Sequence, residues 1–298
     1  MGRGMTTQPQ GAYRRAVSLD TALATLAEQP CTVLAGGTDL YAGSPLAAGA
    51  SPLLDIGLLD ELRGISPIEW ASRPAMRLGA LVTWSALRDG ALPDWAAALA
   101  MAARDVGGVQ IQNRGTIGGN VCNASAAADG VPALLALDAQ VELASRGARR
   151  LLPLERFLLG ARRTALQRDE LLTGFVLPVP AEGSRSIFLK LGARRYLVIS
   201  IAMVAIAIDV GPDGRVSAAR LAVGACGPVA SRLPVLEARL AGLPSPLAPA
   251  ALERLVDRDA LAPLRPMDDV RGTADYRLDA VATLLKRGLA ELSQQAVA

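Results

Sequence analysis

The chain has 298 residues, of which 51% are hydrophobic and 20% are charged, and its net charge is +3. This composition excludes an intrinsically disordered chain, and the length predicts two domains with large cores. Aromatic residues make up only 3% and the basic residues are scattered, so neither a nucleic-acid nor a membrane-binding surface is expected. Histidine is absent, which excludes Ser-His-Asp triads and histidine metal ligands within this chain.

The three cysteines, Cys31, Cys122 and Cys226, are far apart and form no CxxC pair. Because four thiolates usually hold an iron–sulfur cluster, none is expected here, and the odd cysteine count fits a reducing compartment. The N-terminal residues contain no apolar signal segment, and the longest apolar run, residues 197–210, is too short to span a bilayer. We therefore expect a soluble, cytoplasmic protein.

The first part of the chain predicts short strands and helices. Residues 18–29 predict a helix that Ser18 caps, because apolar residues recur at helical spacing after it. Residues 32–34 predict a strand that leads into a glycine turn. The next predicted element is a strand at 52–57. Residues 62–87 predict a strand, a turn and a second strand, which leads into a helix near Trp84, and residues 93–105 predict another helix.

Residues 107–129 are rich in Gly, Asn, Ser and Ala and carry almost no charge, which is typical of a functional or disordered segment. A linker is predicted at 178–185 from its Pro, Gly and polar content. The other predicted elements are a helix at 132–137, strands at 140–145, 171–177, 186–191, 199–210 and 216–225, a hairpin turn at 211–214, and helices at 233–240, 249–256 and 273–292. The pattern predicts two α+β domains joined near residue 180.

Two paired-glycine segments are the candidate ligand-binding motifs. The first, residues 35–40 (AGGTDL), follows the strand at 32–34. Paired glycines let a backbone approach a phosphate closely, and successive N–H groups can form an anion nest. The alternative is a tight turn without a ligand.

The second segment is TIGGN, residues 116–120, followed by Asn123, Ser125 and Asp129. Asp129 could accept hydrogen bonds from ribose or ribityl hydroxyls, or it could cap the helix that begins near Val131. Neither segment is GxGxxG or GxxxxGK[ST], so a Rossmann site and a P-loop are unsupported. Two such segments suit a long cofactor with a central pyrophosphate, which would carry the redox chemistry that these side chains lack.

Six blocks carry a resemblance to a known family: AGGTDL, NRGTIGGNVCNASAAAD, PALLALDAQVEL, DELLTGFVLP, FLKLGARRYLVISIAMVA and DVRGTADYRLDAVATLLKR. In this order they resemble the FAD-binding medium subunits of molybdenum hydroxylases, which include xanthine, carbon monoxide, and nicotine or quinoline dehydrogenases. The resemblance covers nearly the whole chain.

The resemblance implies an α+β fold. Residues 1–180 would form a two-subdomain FAD-binding domain of the vanillyl-alcohol-oxidase/PCMH type, divided at about 1–59 and 60–180. Residues 181–298 would form a C-terminal α+β domain of the carbon monoxide dehydrogenase flavoprotein type, with a three-stranded antiparallel sheet.

The resemblance also implies a set of FAD-binding residues. The glycine segments would hold the pyrophosphate, Asn123, Ser125 and Asp129 would contact the ribityl or ribose region, and Leu172 would pack near the adenine. Ile199 would lie against the isoalloxazine ring, and Lys190 would stabilise the reduced, anionic ring. The full set is Val33, Leu34, Ala35, Gly36, Gly37, Thr38, Asp39, Leu40, Thr116, Ile117, Gly118, Gly119, Asn120, Asn123, Ser125, Asp129, Leu172, Lys190 and Ile199.

Some residues depart from the common family pattern. Many members have Arg at the position of Gln112, Asp at that of Val198 and Pro at that of Ala126. These differences bear on redox tuning and on the identity of the electron acceptor. For Lys190, the alternative without the resemblance is a lysine at a strand edge that extends its amine into solvent.

The implied activity is electron transfer by an oxidoreductase subunit. A large molybdopterin subunit would hydroxylate a substrate, a small subunit with [2Fe-2S] clusters would pass the electrons on, and non-covalent FAD here would deliver them to NAD, oxygen or a quinone-type acceptor. A dimer of heterotrimers is expected. The alternatives are a stand-alone FAD-dependent oxidase or reductase of the vanillyl-alcohol-oxidase type, and a non-catalytic nucleotide-binding scaffold.

Overall fold

The computed structural model describes residues 13–42 and 52–295. The N-terminal segment considered above and residues 43–51 lie outside the described residues. No helix within the two described ranges is long and apolar enough to cross a membrane.

A small parallel sheet forms the N-terminal part of the molecule. Its strands are β1 (Tyr13–Arg15), β2 (Thr32–Leu34) and β3 (Leu53–Asp55), paired in the order β1-β3-β2. Helix α1 (Leu19–Glu28) joins the first two strands and buries its apolar face. Ser18 and Thr21 form a reciprocal capping box at its start, so the predicted cap and the predicted helix at 18–29 are confirmed.

A second, antiparallel sheet has five strands in the order β4-β5-β10-β6-β7. The strands are β4 (Ile65–Trp70), β5 (Arg73–Gly79), β6 (Gln140–Ser145), β7 (Ala148–Pro153) and β10 (Leu171–Pro178). A short hairpin, β8 (Leu158–Gly160) and β9 (Arg163–Thr164), precedes the last of these strands. The sequence did not predict β7, β8 or β9, because these short strands are largely exposed and lack an alternating apolar pattern.

Helices pack on the second sheet around Trp84, which is 2% exposed. They are α2 (Trp84–Asp89), α3 (Ala97–Asp105), α4 (Val109–Arg114), α5 (Ile117–Asn123), α6 (Gly130–Ala136) and α7 (Leu154–Phe157). Residues 107–129, predicted as a polar functional or disordered segment, therefore contain two short helices. The helical structure was hidden because Gly, Asn and Ser are weak helix formers.

The C-terminal sheet is antiparallel, in the order β11-β12-β13-β14. Its strands are β11 (Arg185–Leu191), β12 (Ala202–Val210), β13 (Val216–Gly224) and β14 (Ser231–Arg232). The predicted three-stranded sheet is thus corrected to four strands. The three long strands match the prediction, whereas a two-residue strand has too little sequence to produce an alternating pattern.

Both faces of this sheet are covered. Helices α8 (Pro234–Leu240), α9 (Pro249–Leu255) and α10 (Ala274–Gln295) belong to the core on one face. On the other face, α3 and α6 pack against the same strands, so Phe188 and Met203 share a core with Trp84. This double burial explains why β12 is continuously apolar from Ala202 to Ile208 instead of alternating.

Candidate functional site

A cavity of about 530 Å³ opens where the first sheet faces helices α2, α4 and α5. Its size lies in the range of small-molecule and cofactor sites. Among the predicted residues, those on its wall are Val33, Leu34, Ala35, Gly36, Gly37, Thr38, Asp39, Leu40, Thr116, Gly118, Gly119, Asn120, Asn123 and Leu172. The structure therefore brings both glycine segments to one cavity.

The first glycine segment presents its backbone to the cavity. Gly37 has a φ of +75°, a left-handed conformation that favours glycine. A Cβ atom on Gly36 would lie 2.0 Å from the carbonyl oxygen of Arg114, so the segment packs tightly on the end of α4. Within the described ranges, the N–H groups of Gly36, Gly37 and Thr38 donate to no acceptor. They remain available to an anion in the cavity.

The second glycine segment is the first turn of α5, and its N–H groups have partners within the protein. Ile117 donates to the carbonyl of Val82 (3.0 Å) and Gly118 to that of Ala80 (3.0 Å). Gly119 donates to the capping hydroxyl of Thr116 (3.1 Å). This segment therefore offers the cavity the exposed face of Gly119 and nearby side chains instead of a set of free N–H groups.

Five predicted residues do not lie on the cavity wall. Ile117 is fully buried, with an exposed fraction of 0%. Ser125 Oγ accepts the N–H of Ala127 within a turn, and Ile199 is 53% exposed outside the cavity wall. Asp129 and Lys190 contact each other elsewhere.

Lys190 and Asp129 form a buried ion pair between the two halves of the molecule. Lys190 Nζ is 2.8 Å from Asp129 Oδ2 and donates to the Asp105 carbonyl at 3.0 Å. Ser200 Oγ donates to the other oxygen of Asp129 at 2.5 Å. Burial raises the pKa of Asp129, while the Lys190 charge acts in the opposite direction. Asp129 precedes α6 but makes no capping hydrogen bond, and Lys190 is not a solvent-exposed edge residue.

Sequence reasoning missed several residues of the wall, most of them small or apolar. These are Cys31, Thr32, Ile56, Ala80, Leu81, Trp84, Val106, Ile111, Gly115, Cys122, Leu166 and Leu171. Apart from two cysteines, their side chains carry no reactive group, so only their neighbours in the fold could identify them as wall residues. They give the cavity apolar surfaces against which flat rings can pack.

Two of the missed residues are thiols. Burial raises the pKa of Cys122 to about 12, and burial also raises the pKa of Cys31. Both side chains are free of disulfide bonds. Because the thiolate is the reactive form, these cysteines are poor nucleophiles toward a ligand in the cavity.

The cavity fits a dinucleotide such as FAD. The N–H groups of the first glycine segment, which have no acceptor among the described residues, suit a pyrophosphate, and the apolar surfaces suit the two ring systems of FAD. Asn120 also lies on the wall, and within the part of the chain that the structure describes its buried Oδ1 has no hydrogen-bond partner. Such an acceptor is suited to a hydroxyl donor.

Two family models match the chain. The model described as the FAD binding domain in molybdopterin dehydrogenase matches residues 6–180. The model described as the CO dehydrogenase flavoprotein C-terminal domain matches residues 187–292.

The relatives extend over the same length. The chain is 31% identical over 284 residues to the xanthine dehydrogenase FAD-binding subunit of Escherichia coli O157:H7, covering 94% of this chain and 95% of the relative. It is 34% identical over 220 residues to the nicotinate dehydrogenase FAD-subunit of Eubacterium barkeri, covering 72% of this chain and 73% of the relative.

The fold matches solved structures over almost every residue. One is a carbon monoxide dehydrogenase from Hydrogenophaga pseudoflava that lacks the Mo-pyranopterin moiety of its cofactor, with a TM-score of 0.86, 28% identity and coverage of 98% of this chain and 99% of that chain. Another is quinoline 2-oxidoreductase from Pseudomonas putida 86, with a TM-score of 0.86, 26% identity and coverage of 98% and 100%. The chain therefore belongs to the FAD-binding subunits of the molybdenum hydroxylase family, and it is an oxidoreductase flavoprotein subunit.

Proposed function

We propose that this chain holds FAD without a covalent link in the cavity between its two glycine segments. The observation that carries the proposal is the convergence of both segments on one cavity of about 530 Å³. The first segment would bind the pyrophosphate through the N–H groups of Gly36, Gly37 and Thr38, for which the described residues provide no acceptor. Gly119, Asn120 and Asn123 would contact the adjoining sugar and ribityl groups from the other side, and Leu172 would contact the adenine.

Two of the expected contacts, Lys190 and Asp129, are proposed with a modified role. Lys190 would act on the flavin from within its ion pair with Asp129, so that it supplies a net electrostatic field instead of a free ammonium. Ser200 completes this cluster through its bond to Asp129. Ile199 and the segment around it would face the isoalloxazine ring at the mouth of the cavity.

The chemistry that FAD supplies when bound is the acceptance of electron pairs and their release to an acceptor. The protein residues bind and orient it and keep water from part of its surface. The absence of histidine and the raised pKa values of the two cysteines on the wall, which burial causes, support the proposal of a non-covalent link.

The proposed partners complete an electron-transfer chain. A large molybdopterin subunit would hydroxylate the substrate, and a small subunit with [2Fe-2S] clusters would deliver the electrons to this chain. The final acceptor would be NAD, oxygen or a quinone-type compound. Groups of three or more His, Cys, Asp or Glu residues with metal-ligand geometry are absent from the described ranges. A dimer of heterotrimers in the cytoplasm is part of this proposal.

We also propose the domain boundaries that the sequence predicts. Residues 1–180 would form a FAD-binding domain of the vanillyl-alcohol-oxidase/PCMH type with subdomains at about 1–59 and 60–180, and residues 181–298 the C-terminal domain. The ranges of the two matching family models support a boundary near residue 180.

Purification of the chain from its native source tests this function. The expected result is a complex of three kinds of subunit that contains FAD, molybdenum and iron. A yellow chain that elutes alone without these metals would instead support a stand-alone flavoprotein. A colourless chain that elutes alone would support a nucleotide-binding scaffold without catalysis.

A further inference from the structure

Arg162 has a fixed backbone position beside the cavity. It lies in the turn between β8 and β9 with a left-handed φ of 58°. Its N–H donates to the carbonyl of Ala124 at 2.8 Å, which holds the turn against the end of α5. The Arg162 side chain therefore begins next to the second glycine segment.

Its guanidinium connects the two sides of the cavity. Arg162 Nη1 donates to Asn123 Oδ1, just after the second glycine segment. The same nitrogen is 3.9 Å from Asp39 Oδ1 in the first segment. Both of these partners lie on the cavity wall. The Arg162 side chain is 62% exposed and is not itself part of the wall, so it lies at the protein surface beside these two wall residues.

A pyrophosphate in the cavity would need a positive charge near Asp39. A pyrophosphate in the cavity would bring negative charge close to the carboxylate of Asp39. Among the described residues, the wall includes no Arg or Lys. Two other arginines, Arg63 and Arg114, line a separate cavity of about 80 Å³ next to Gly36. Arg162 is already in contact with Asp39 of the first glycine segment and with Asn123, which follows the second.

We infer that Arg162 is a FAD-binding residue whose guanidinium binds a phosphate oxygen of the cofactor. On binding, the guanidinium would exchange its hydrogen bond to Asn123 for the phosphate, which frees the Asn123 amide for the cofactor. Arginine suits this role because its planar donors match phosphate geometry. The inference rests on the proposed function, since it requires FAD in this cavity.

The test is a titration of the full chain, stripped of FAD, followed by flavin fluorescence. Arg162→Asn removes the cation and keeps a residue that tolerates the left-handed conformation. We expect its Kd for FAD to rise about tenfold to a hundredfold, as is typical for loss of a charged hydrogen bond. Arg162→Lys should raise the Kd less. Arg163→Asn, an exposed neighbour, is the matched control and should leave the Kd unchanged.

Two further ligands separate a phosphate contact from a change in cavity shape. Binding of ADP should weaken in Arg162→Asn in parallel with that of FAD, whereas binding of riboflavin, which has no phosphate, should not change. The affinity of the unmodified chain for FAD should also fall more steeply with salt than that of the variant.

The outcomes distinguish this inference from the proposed function. If the unmodified chain binds no FAD, the proposed function fails. If it binds FAD and Arg162→Asn has the same Kd as Arg163→Asn, the phosphate contact is overturned. Equal weakening of FAD and riboflavin would overturn it too, because the effect would then come from cavity shape. If Arg162→Asn does not fold, Arg162→Lys decides: a Kd for FAD above that of Arg163→Asn with an unchanged salt dependence supports the phosphate contact, and a Kd equal to that of Arg163→Asn overturns it.

Discussion

The two glycine segments look alike in sequence but differ in what they present to the cavity. In the first, Gly36, Gly37 and Thr38 have N–H groups without acceptors in the described parts of the chain. In the second, the N–H groups at the start of α5 are bonded to Val82, Ala80 and Thr116. Paired glycines thus serve two purposes here. One pair forms an anion-binding backbone, and the other allows a helix to pack closely and expose a bare surface.

The contrast extends to the reason each glycine is needed. A Cβ atom on Gly118 would lie 2.6 Å from the carbonyl oxygen of Ala80, so its small size serves packing inside the protein. On Gly119 the nearest atom would be Thr116 Oγ1 at 2.9 Å, and the residue is exposed on the wall. Both glycines lie on the wall, but Gly118 is buried and Gly119 presents the exposed surface to a cofactor. The following predictions test the contrast, from the largest effect to the smallest.

Gly36→Ala should have the largest effect on FAD binding. Its Cβ atom would lie 2.0 Å from a carbonyl oxygen, so the first segment must shift and turn its N–H groups away. Loss of two charged hydrogen bonds would weaken binding by at least about a hundredfold. Fluorescence titration of the stripped chain measures the effect.

Gly214→Ala is the control for this experiment. Gly214 has a φ of +72° with open space around it, in a hairpin turn remote from the cavity wall. The substitution should cost about 1 kcal/mol of stability through backbone strain and leave FAD affinity unchanged. Equal FAD affinity in Gly36→Ala and Gly214→Ala would exclude the first segment from the site.

Gly119→Val should yield folded protein that is depleted in FAD, with affinity reduced about tenfold to several-hundredfold. Since the Gly119 N–H is bonded to Thr116, the effect comes from a side chain that takes up space in the cavity. The flavin-to-protein ratio and circular dichroism should be measured on one sample. In the native complex, substrate should still reduce the iron–sulfur clusters while transfer to the final acceptor stalls.

Gly118→Val provides the comparison, because its side chain would collide with Ala80 and destabilise the fold. Full FAD occupancy in normally folded Gly119→Val would remove this face of α5 from the site. Reduced stability with full occupancy in the folded fraction would show that Gly119 only shapes the helix end.

Thr116→Val should cost about 1 kcal/mol in the free energy of unfolding, because the Gly119 N–H loses its cap. If this N–H has no role in FAD binding, the affinity should change by less than about threefold. Urea denaturation and FAD titration give the two values. A change in affinity above tenfold would mean that the Thr116 hydroxyl or the Gly119 N–H contacts the cofactor.

The smallest effect concerns Glu170, which precedes the wall residues Leu171 and Leu172. Its hydrogen bonds from Arg150, and then from the Gln167 N–H, hold the pKa of Glu170 below its ordinary value of 4.5. The Arg150–Glu170 pair therefore stabilises the protein when the pH is above the ordinary pKa of Glu170. Its contribution is lost as the pH falls through the lower pKa of the folded state.

Arg150→Gln should accordingly lower stability at neutral pH by about 0.5 kcal/mol, since Arg150 is 39% exposed and screened by solvent. It should also flatten the loss of stability on acidification. Urea unfolding curves recorded at about pH 3 to 7 measure the stability at neutral pH and its loss on acidification. An identical pH dependence in the variant and the parent would show that this ion pair does not hold the wall.

Much of the fold could be predicted because local signals and tertiary structure agree. Ser18 caps α1 as expected, and the long strands of the C-terminal sheet have the predicted positions. β14 could not be predicted, since its two residues pair with β13 only after the chain has folded back. Helices α4 and α5 were missed because their Val, Gly and Asn residues have low helix propensity, and α5 is stabilised instead by packing of Ile117 and Val121 into the core around Trp84.

The candidate site also has parts that the sequence predicted and parts that it did not. The backbone motifs predicted which loops converge, because paired glycines leave a trace in the sequence. The contact between Asp129 and Lys190 could not be predicted, because the two residues are 61 positions apart in the sequence and belong to different domains. Likewise, the apolar wall residues Leu166 and Leu171 resemble any other core residues in the sequence.

The most direct test of the central claim is the fate of the flavin when the native protein is denatured with acid. Non-covalent binding in the cavity predicts about one FAD per chain, all of it in the supernatant. Flavin that stays on the precipitated polypeptide would contradict the non-covalent link, FMN in the supernatant would contradict the cofactor, and the absence of flavin from both fractions would contradict the site.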